Sequence, residues 1–184
     1  MAQVYAFLAP GLEEVECLAT VDVLIRAGIK VELVTVTDCL EVTGSHNITV
    51  KADCKLKDVK WDEAQVLFLP GGMPGTKNLA ECRELTSHLV EAYHAGKRLA
   101  AICAAPSVLG GLGLLRGKKA TCYPGFEDQL LEAEYQKAGV VTDGCVTTAR
   151  GLGYALDLGL ELVGILADDE TAKRIKASIQ YDQF

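Results

Sequence analysis

Much that would mark a specialised function is missing from this sequence. No stripe of lysine and arginine runs through it. Lys55, Lys57 and Lys60 alternate with apolar and acidic residues, Lys118 and Lys119 are only a pair, and the formal net charge is −7. Phosphate backbones demand clustered cations, so a nucleic-acid partner is excluded. No segment is long and apolar enough to span a bilayer, which excludes a membrane role. Residues 1–8 lack a basic leader and their apolar run stops at Pro10-Gly11, so they read as a first strand rather than a signal peptide. The seven cysteines are odd in number, irregularly spaced and without a Cys-x-x-Cys. That pattern argues against a disulfide framework and a structural zinc site, and for a reducing cytoplasmic compartment.

Histidine is scarce too, with three in the chain. His88 and His94 stand six residues apart on one helical stretch, poor spacing for a shared face or a metal pair. Phosphate cradles fare no better. Arg150-Gly151-Leu152-Gly153-Tyr154-Ala155 offers a Gly-x-Gly without its third glycine, and no Walker sequence occurs. No cofactor and no metal are expected.

What is present is an ordinary α/β composition. The 184 residues are 49% hydrophobic with 18 glycines, and with no linker, repeat or low-complexity tract they read as one domain over 1–184. Strand-like runs at 4–9, 31–36, 66–69, 98–102, 120–123 and 146–149 alternate with helical patterns at 13–27, 84–95, 104–112, 151–167 and from 168 on. Residues 40–50 alternate polar and apolar side chains and read as an antiparallel excursion. The alternation of strands and helices predicts a mostly parallel sheet covered by helices on both faces.

Within that frame the run Arg98-Leu99-Ala100-Ala101-Ile102-Cys103-Ala104-Ala105-Pro106-Ser107 stands out. A buried strand ends on a cysteine, and small residues and a proline open a helix at once. This is a strand-to-helix elbow with a thiol at its tip. Amides at a helix start favour a thiolate, which predicts a pKa well below the free value of about 8.5. Burial in packing is the usual fate of a free cysteine, and it suits Cys17, Cys82, Cys122 and Cys145. Cys39 and Cys54 have polar surroundings. Only Cys103 combines a strand end, a helix start and room beside it.

Parallel sheets place ligands beyond the carboxyl ends of their strands. Three loops lie there: residues 10–13, residues 70–75 and the Cys103 elbow. The backbone N–H groups of Gly72 and Ala104 are candidate donors to an oxyanion. Glu13, Glu14 and Glu16 all fall in the opening turn of the first helix, where acidic residues ordinarily complement the dipole. The pattern does not choose among them, although Glu16 lies between apolar neighbours and hints at an inward direction. A buried carboxyl stays protonated and can donate to a thiolate. No histidine relay is evident beside Cys103, so a thiol peptidase or amidase is weakly supported.

Five segments carry a family resemblance in matching order: Leu8-Ala9-Pro10-Gly11-Leu12-Glu13-Glu14-Val15-Glu16, residues 21–31, Leu69-Pro70-Gly71-Gly72, Ala101-Ile102-Cys103-Ala104-Ala105-Pro106, and Thr148-Ala149-Arg150-Gly151. Together they resemble the DJ-1/ThiJ/PfpI family, closest to its DJ-1 branch. The resemblance implies a flavodoxin-like sandwich and a homodimer. It also implies that Cys103 is the oxidisable nucleophile, Glu16 its protonated partner, and Gly72 and Ala104 the oxyanion positions. Gly71, Met73, Tyr123 and His46 would line the pocket, and Asp22, Arg26 and His46 the dimer contact. There are departures. His46 stands where relatives carry an arginine, Tyr123 where some carry a histidine, and Ala104 where the protease-like branch has histidine. Met73-Pro74 changes the pocket lip.

The activity so implied is a glutathione-independent glyoxalase or deglycase acting on methylglyoxal, glyoxal and their early adducts. The alternative is an oxidative-stress sensor working through a Cys103 sulfinate.

Overall fold

A computed structural model of the protein describes residues 3–181. Met1 and Ala2, part of the leader question, lie outside the described residues. In chain order the elements are β1 (Val4–Leu8), α1 (Glu14–Arg26), β2 (Val31–Thr35), β3 (Glu41–Thr43), β4 (Thr49–Lys51), β5 (Cys54–Lys55), β6 (Val66–Leu69), α2 (Gly75–Glu81) and α3 (Arg83–His94). There follow β7 (Arg98–Ile102), α4 (Pro106–Gly111), β8 (Lys119–Ala120), β9 (Glu134–Tyr135), β10 (Val140–Asp143), β11 (Val146–Ala149), α5 (Ala155–Leu166) and α6 (Asp169–Ser178).

Seven strands form the main sheet in the order β10-β11-β7-β6-β1-β2-β5. Every pairing is parallel except β10 with β11. The central strands look continuously apolar in sequence because both of their faces are buried. Tyr5, Phe7, Leu67, Leu69, Leu99 and Ala101 enter one core beside Leu85 and Leu89 of α3 and Leu109 of α4. The alternate residues Val4, Ala6, Leu8, Val66, Phe68, Ala100 and Ile102 enter the other, beside Cys17, Val21 and Leu24 of α1 and Leu158 and Leu162 of α5. The period-2 alternation of a strand thus feeds two helical layers at once.

Chain direction reverses between β1 and β6. From β1 the chain passes through α1 to β2 on one side; from β6 it passes through α2 and α3 to β7 on the other. At such a switch point the loops after adjacent strands splay apart and leave a crevice. Here backbone bonds stitch the crevice floor, from Glu13 N–H to the Gly71 carbonyl at 2.8 Å and from Gly75 N–H to the Gly11 carbonyl at 3.0 Å. The residue-40 excursion is an antiparallel hairpin of β3 and β4, folded over the start of α1.

Three expectations are corrected and one helix is added. The helix after Cys103 starts at Pro106 and runs for only six residues, because Ala104 and Ala105 form the turn. The strand expected at 120–123 is the two-residue β8, paired with β9 outside the main sheet. Residues 152–154 make a 3-10 turn before α5. Helix α2 was not foreseen; only Gly75, Thr76 and Leu79 of it are buried, too few to print a periodic signal. No helix among the described residues is long and apolar enough to cross a membrane.

Candidate active site

The nucleophile elbow is literal. Cys103 has φ 64°, a left-handed conformation that a non-glycine residue adopts at a cost of about 1 to 3 kcal/mol. The surroundings hold it there. Its N–H donates to the Ala149 carbonyl at 2.9 Å, continuing the β7–β11 ladder one step past the strand, and its carbonyl accepts from Tyr123 N–H at 2.8 Å. Gly71 passes so close to the pair that a Cβ there would collide with Glu16 Oε2 and lie 2.6 Å from Cys103 Cβ. Gly72 has φ 91°, and a Cβ on it would strike Glu13 N and lie 2.5 Å from the Leu12 carbonyl carbon. These glycines let the β6 loop lie directly on the start of α1.

The three glutamates separate into three jobs. Glu13 is the N-cap of α1, its side chain accepting from Glu16 N–H. Glu14 anchors the β3–β4 hairpin by accepting from His46 N–H at 2.8 Å and Ile48 N–H at 3.3 Å, and it bonds His46 Nδ1 at 2.9 Å. Although buried, it is held at a pKa of about 2 by these bonds, His46's first among them, against the burial that would raise it. Glu16 alone faces Cys103. It is 1% exposed, and its Oε2 finds no hydrogen-bond partner among the described residues.

Burial pushes the Glu16 carboxyl up to about 7, and the Glu13 charge adds to that shift. Cys103 does not follow the expectation of a lowered pKa. Burial first, then the Glu16 charge, push the thiol up to about 12. A six-residue α4 beginning three positions later has too little dipole at the sulfur to reverse this. The amides of Ala104 and Gly72 do pull the thiol down, so both N–H groups bear on the sulfur as an oxyanion pair would. The value near 12 belongs to a thiol facing an ionised Glu16. Once Glu16 is protonated, its repulsion vanishes and its O–H can donate to sulfur. The titrations of the two groups are therefore coupled.

The remaining expected residues are placed as follows. Tyr123 is tied to the Cys103 carbonyl, with its side chain 51% exposed. Met73 is exposed and lines a cavity of about 280 Å³ with Thr76, Lys77, Ser107 and Phe126. His46 does not reach the thiol; its ring is bound to Glu14 and mostly exposed, at the mouth of the crevice. Asp22 and Arg26 form an exposed pair along α1. Glu13, Glu14 and His46 hold their ligand-type atoms within 4.8 Å of one another, a spacing that the hairpin-anchoring bonds already account for. His88 stacks on Trp61 at 4.0 Å and His94 packs edge-on against Tyr93. All three histidines are thus committed elsewhere. The sequence reading overlooked Arg150, which lies one position past β11 beside the elbow; the Thr-Ala-Arg-Gly motif was the available signal.

Comparison with known proteins identifies the family and the fold. A family model described as the DJ-1/PfpI family matches residues 2–164. The chain is 35% identical over 174 residues to Protein DJ-1 homolog B of Arabidopsis thaliana, covering 94% of this chain but 40% of that longer protein. It is 33% identical over 160 residues to the Caenorhabditis elegans glutathione-independent glyoxalase DJR-1.2, covering 86% of this chain and 84% of that one. A solved structure of oxidized Toxoplasma gondii DJ-1 superposes with a TM-score of 0.94 at 34% identity, covering all of both chains.

Proposed function

The chain belongs to the DJ-1/PfpI family, and from that premise we propose that it is a cysteine-dependent, cofactor-free glyoxalase or deglycase for methylglyoxal, glyoxal and their early adducts. The observation that carries this reading is the buried Glu16 carboxyl set against the half-buried Cys103 thiol, with the Gly72 and Ala104 amides bearing on the sulfur and each histidine engaged elsewhere. The C. elegans relative carries the glyoxalase name.

The chemistry follows from the pair. Transfer of the thiol proton to Glu16 leaves a thiolate that adds to the aldehyde carbon of methylglyoxal. A C–S bond forms, and the carbonyl electron pair moves to an oxygen facing the Gly72 and Ala104 amides. Protonation of that oxygen gives a hemithioacetal and returns Glu16 to its carboxylate form. Glu16 then removes the proton on C1 and delivers it to C2 through an enediol, leaving a lactoyl thioester on Cys103. Water releases lactate and regenerates the thiol. The sum is an internal proton shift plus hydration, so no external oxidant or reductant enters. A Glu16 pKa near 7 suits both taking and giving that proton at neutral pH.

The test is methylglyoxal consumption by wild type, Cys103→Ser and Glu16→Gln, with lactate as product. Loss in both variants is expected, and unchanged turnover in Cys103→Ser overturns the proposal.

A second reading is favoured by the orphaned Glu16 Oε2. A protonated Glu16 could donate to an oxygen of a Cys103 sulfinate formed by two equivalents of peroxide, and the Toxoplasma relative is described as oxidized. Intact-mass and peptide analysis during a peroxide titration tests it. The reading fails if Cys103 oxidises no faster than the other six thiols.

We further propose that the protein works as a homodimer, in the cytoplasm. Val15, Leu18 and Ile25 lie along the outer face of α1 with the Asp22–Arg26 pair and are 48%, 39% and 56% exposed. Their helical spacing makes one apolar stripe for a second copy to cover.

A further inference from the structure

Beside the elbow, and outside the Cys103–Glu16 pair, lies a groove of about 310 Å³ walled by Tyr123, Pro124, Leu152 and Tyr154, with Arg150 on its lining. The groove adjoins the elbow through residues that touch the reacting pair. Tyr123 N–H holds the Cys103 carbonyl. The Cβ position of Gly151, between the walls, lies 3.3 Å from the Tyr123 ring and 4.0 Å from Glu16 Oε1. Ala149 pairs with Ile102 across parallel strands, so Arg150 and Cys103 are the next residues in register, on backbones spaced about 4.8 Å apart. The walls are apolar and open: Tyr123, Leu152 and Tyr154 are 51%, 50% and 40% exposed.

Arg150 is the polar feature of this groove without a task. Elsewhere Arg26 pairs with Asp22, Arg98 with the Gly144 carbonyl and Arg116 with Glu132, while Arg83 and Arg174, which also hold no such partner among the described residues, lie outside this groove. The Arg150 guanidinium has no hydrogen-bond or ion-pair partner among the described residues, although its backbone N–H is fixed on the Gly139 carbonyl at 2.8 Å. Its charge is felt at the buried Cys122 thiol, opposed there by Glu127, and Arg150 shares the groove lining with Tyr123. A guanidinium is a planar fork matched to a carboxylate.

Given the proposed aldehyde chemistry, on which this inference rests, we propose that Arg150 is the specificity-determining cation of the site. It holds the carboxylate of 2-oxoaldehydes that carry an acid group at the end remote from the aldehyde. The aldehyde faces Cys103, the intervening methylenes lie on Tyr123 and Leu152, and the carboxylate meets Arg150. A single carboxylate is favoured over a phosphate dianion because the groove supplies one cation, and the Glu16 carboxyl, 4.0 Å from the Gly151 Cβ position, opposes further negative charge. The groove therefore extends the substrate class beyond methylglyoxal to acidic five-carbon dicarbonyls and to adducts bearing a free carboxylate.

The experiment compares 4,5-dioxopentanoate with its neutral five-carbon counterpart 2-oxopentanal, in wild type, Arg150→Gln and Arg150→Lys. The ratio of the two kcat/KM values should favour the acid by about tenfold in wild type, the worth of one charge-assisted hydrogen-bonded pair at a half-open site. It should fall to near unity in Arg150→Gln, lie between in Arg150→Lys, and shrink in wild type as salt is added. A second arm needs no turnover. In Cys103→Ala, the unreactive 4-oxopentanoate is titrated by NMR with and without Arg150→Gln, which should raise its Kd about tenfold. A ratio that is the same in wild type and both Arg150 variants overturns the inference, as does a Kd indifferent to Arg150. If neither aldehyde is consumed while 4-oxopentanoate still depends on Arg150, the aldehyde chemistry fails and the assignment of the cation stands.

Discussion

Replacing Glu16 with glutamine should make the protein more stable at alkaline pH and leave its stability at acid pH little changed. A carboxyl with a folded pKa near 7 against an ordinary value of 4.5 binds its proton more tightly in the native state than in the unfolded chain. Stability then falls as pH rises, because the native state holds the extra proton. The penalty is absent below pH 4.5, grows through the interval to pH 7 and is complete above it. At 1.36 kcal/mol per pH unit over that interval, it reaches about 3 kcal/mol. Glutamine has nearly the same shape and no charge to bury. Urea unfolding of wild type and Glu16→Gln under reducing conditions, at pH 5 and pH 8.5, reads the difference directly. Any constant cost of fitting the amide beside Gly71 cancels when the two pH values are compared. The variant should gain about 2.5 kcal/mol on wild type between pH 5 and pH 8.5, since part of the penalty is already present at pH 5. A gap that does not change with pH would refute the claim that burial holds Glu16 as a proton carrier, and the proposed proton shuttle with it.

Three further outcomes follow from named contacts. Gly72→Ala places a Cβ against Glu13 N in a left-handed conformation; it should cost about 3 kcal/mol in denaturant unfolding and abolish methylglyoxal turnover by moving the N–H aimed at Cys103. His46 has a raised pKa through its bond to Glu14, so its contribution is complete below pH 6.5 and lost as pH rises through the raised value. The destabilisation of His46→Gln should therefore be greater at pH 5.5 than at pH 9, and equal losses at both would refute the pairing. Leu18→Glu puts a charge in the exposed α1 stripe; sedimentation velocity should show a monomer where wild type is a dimer, and an unchanged wild-type-sized species would remove α1 from the interface.

How much of the fold was readable depended on how many residues each element buries. Helix α1 buries seven of its thirteen residues, and Gly28 follows its end at φ 81°, so the helix and its stop were readable, but its buried face was not: Glu14, Glu16 and Thr20 are buried while the apolar Val15, Leu18 and Ile25 are exposed. The β3–β4 hairpin alternates exposed and buried side chains and was equally plain. Strand β5 is only two residues long, pairing through Val34 with Cys54 and Thr35 with Lys55, too short for any period to register. Strand β10 did leave a local sign that went unused. Its last residue, Asp143, pairs with Val146 across a two-residue Gly144-Cys145 loop, a tight turn between two β-prone runs.

The site was legible as a set of residue types and illegible as electrostatics. Cysteine at an elbow, glycine where the backbone crowds, and acids opening a helix can each be read locally. Which acid faces the thiol cannot, because Glu14 and Glu16 are two positions apart on a helix, about 200° around its axis. The choice depends on how α1 is rotated against loops from residues 43 to 48 and 70 to 72. The reversed thiol shift has the same origin. Helix-start reasoning considers only the residues after Cys103, whereas burial and a carboxylate from a segment nearly ninety positions earlier dominate the charge balance. That same carboxylate makes an unaided thiolate costly and supplies the means to form one. Burial raises Glu16, and burial together with the Glu16 charge raises the thiol, so the protonation of each group depends on the other. Reactivity of Cys103 should accordingly track the protonation of Glu16, so that iodoacetamide modification in Glu16→Gln loses the wild-type inflection near pH 7. If that inflection persists in the variant, Glu16 is not the group that governs the sulfur.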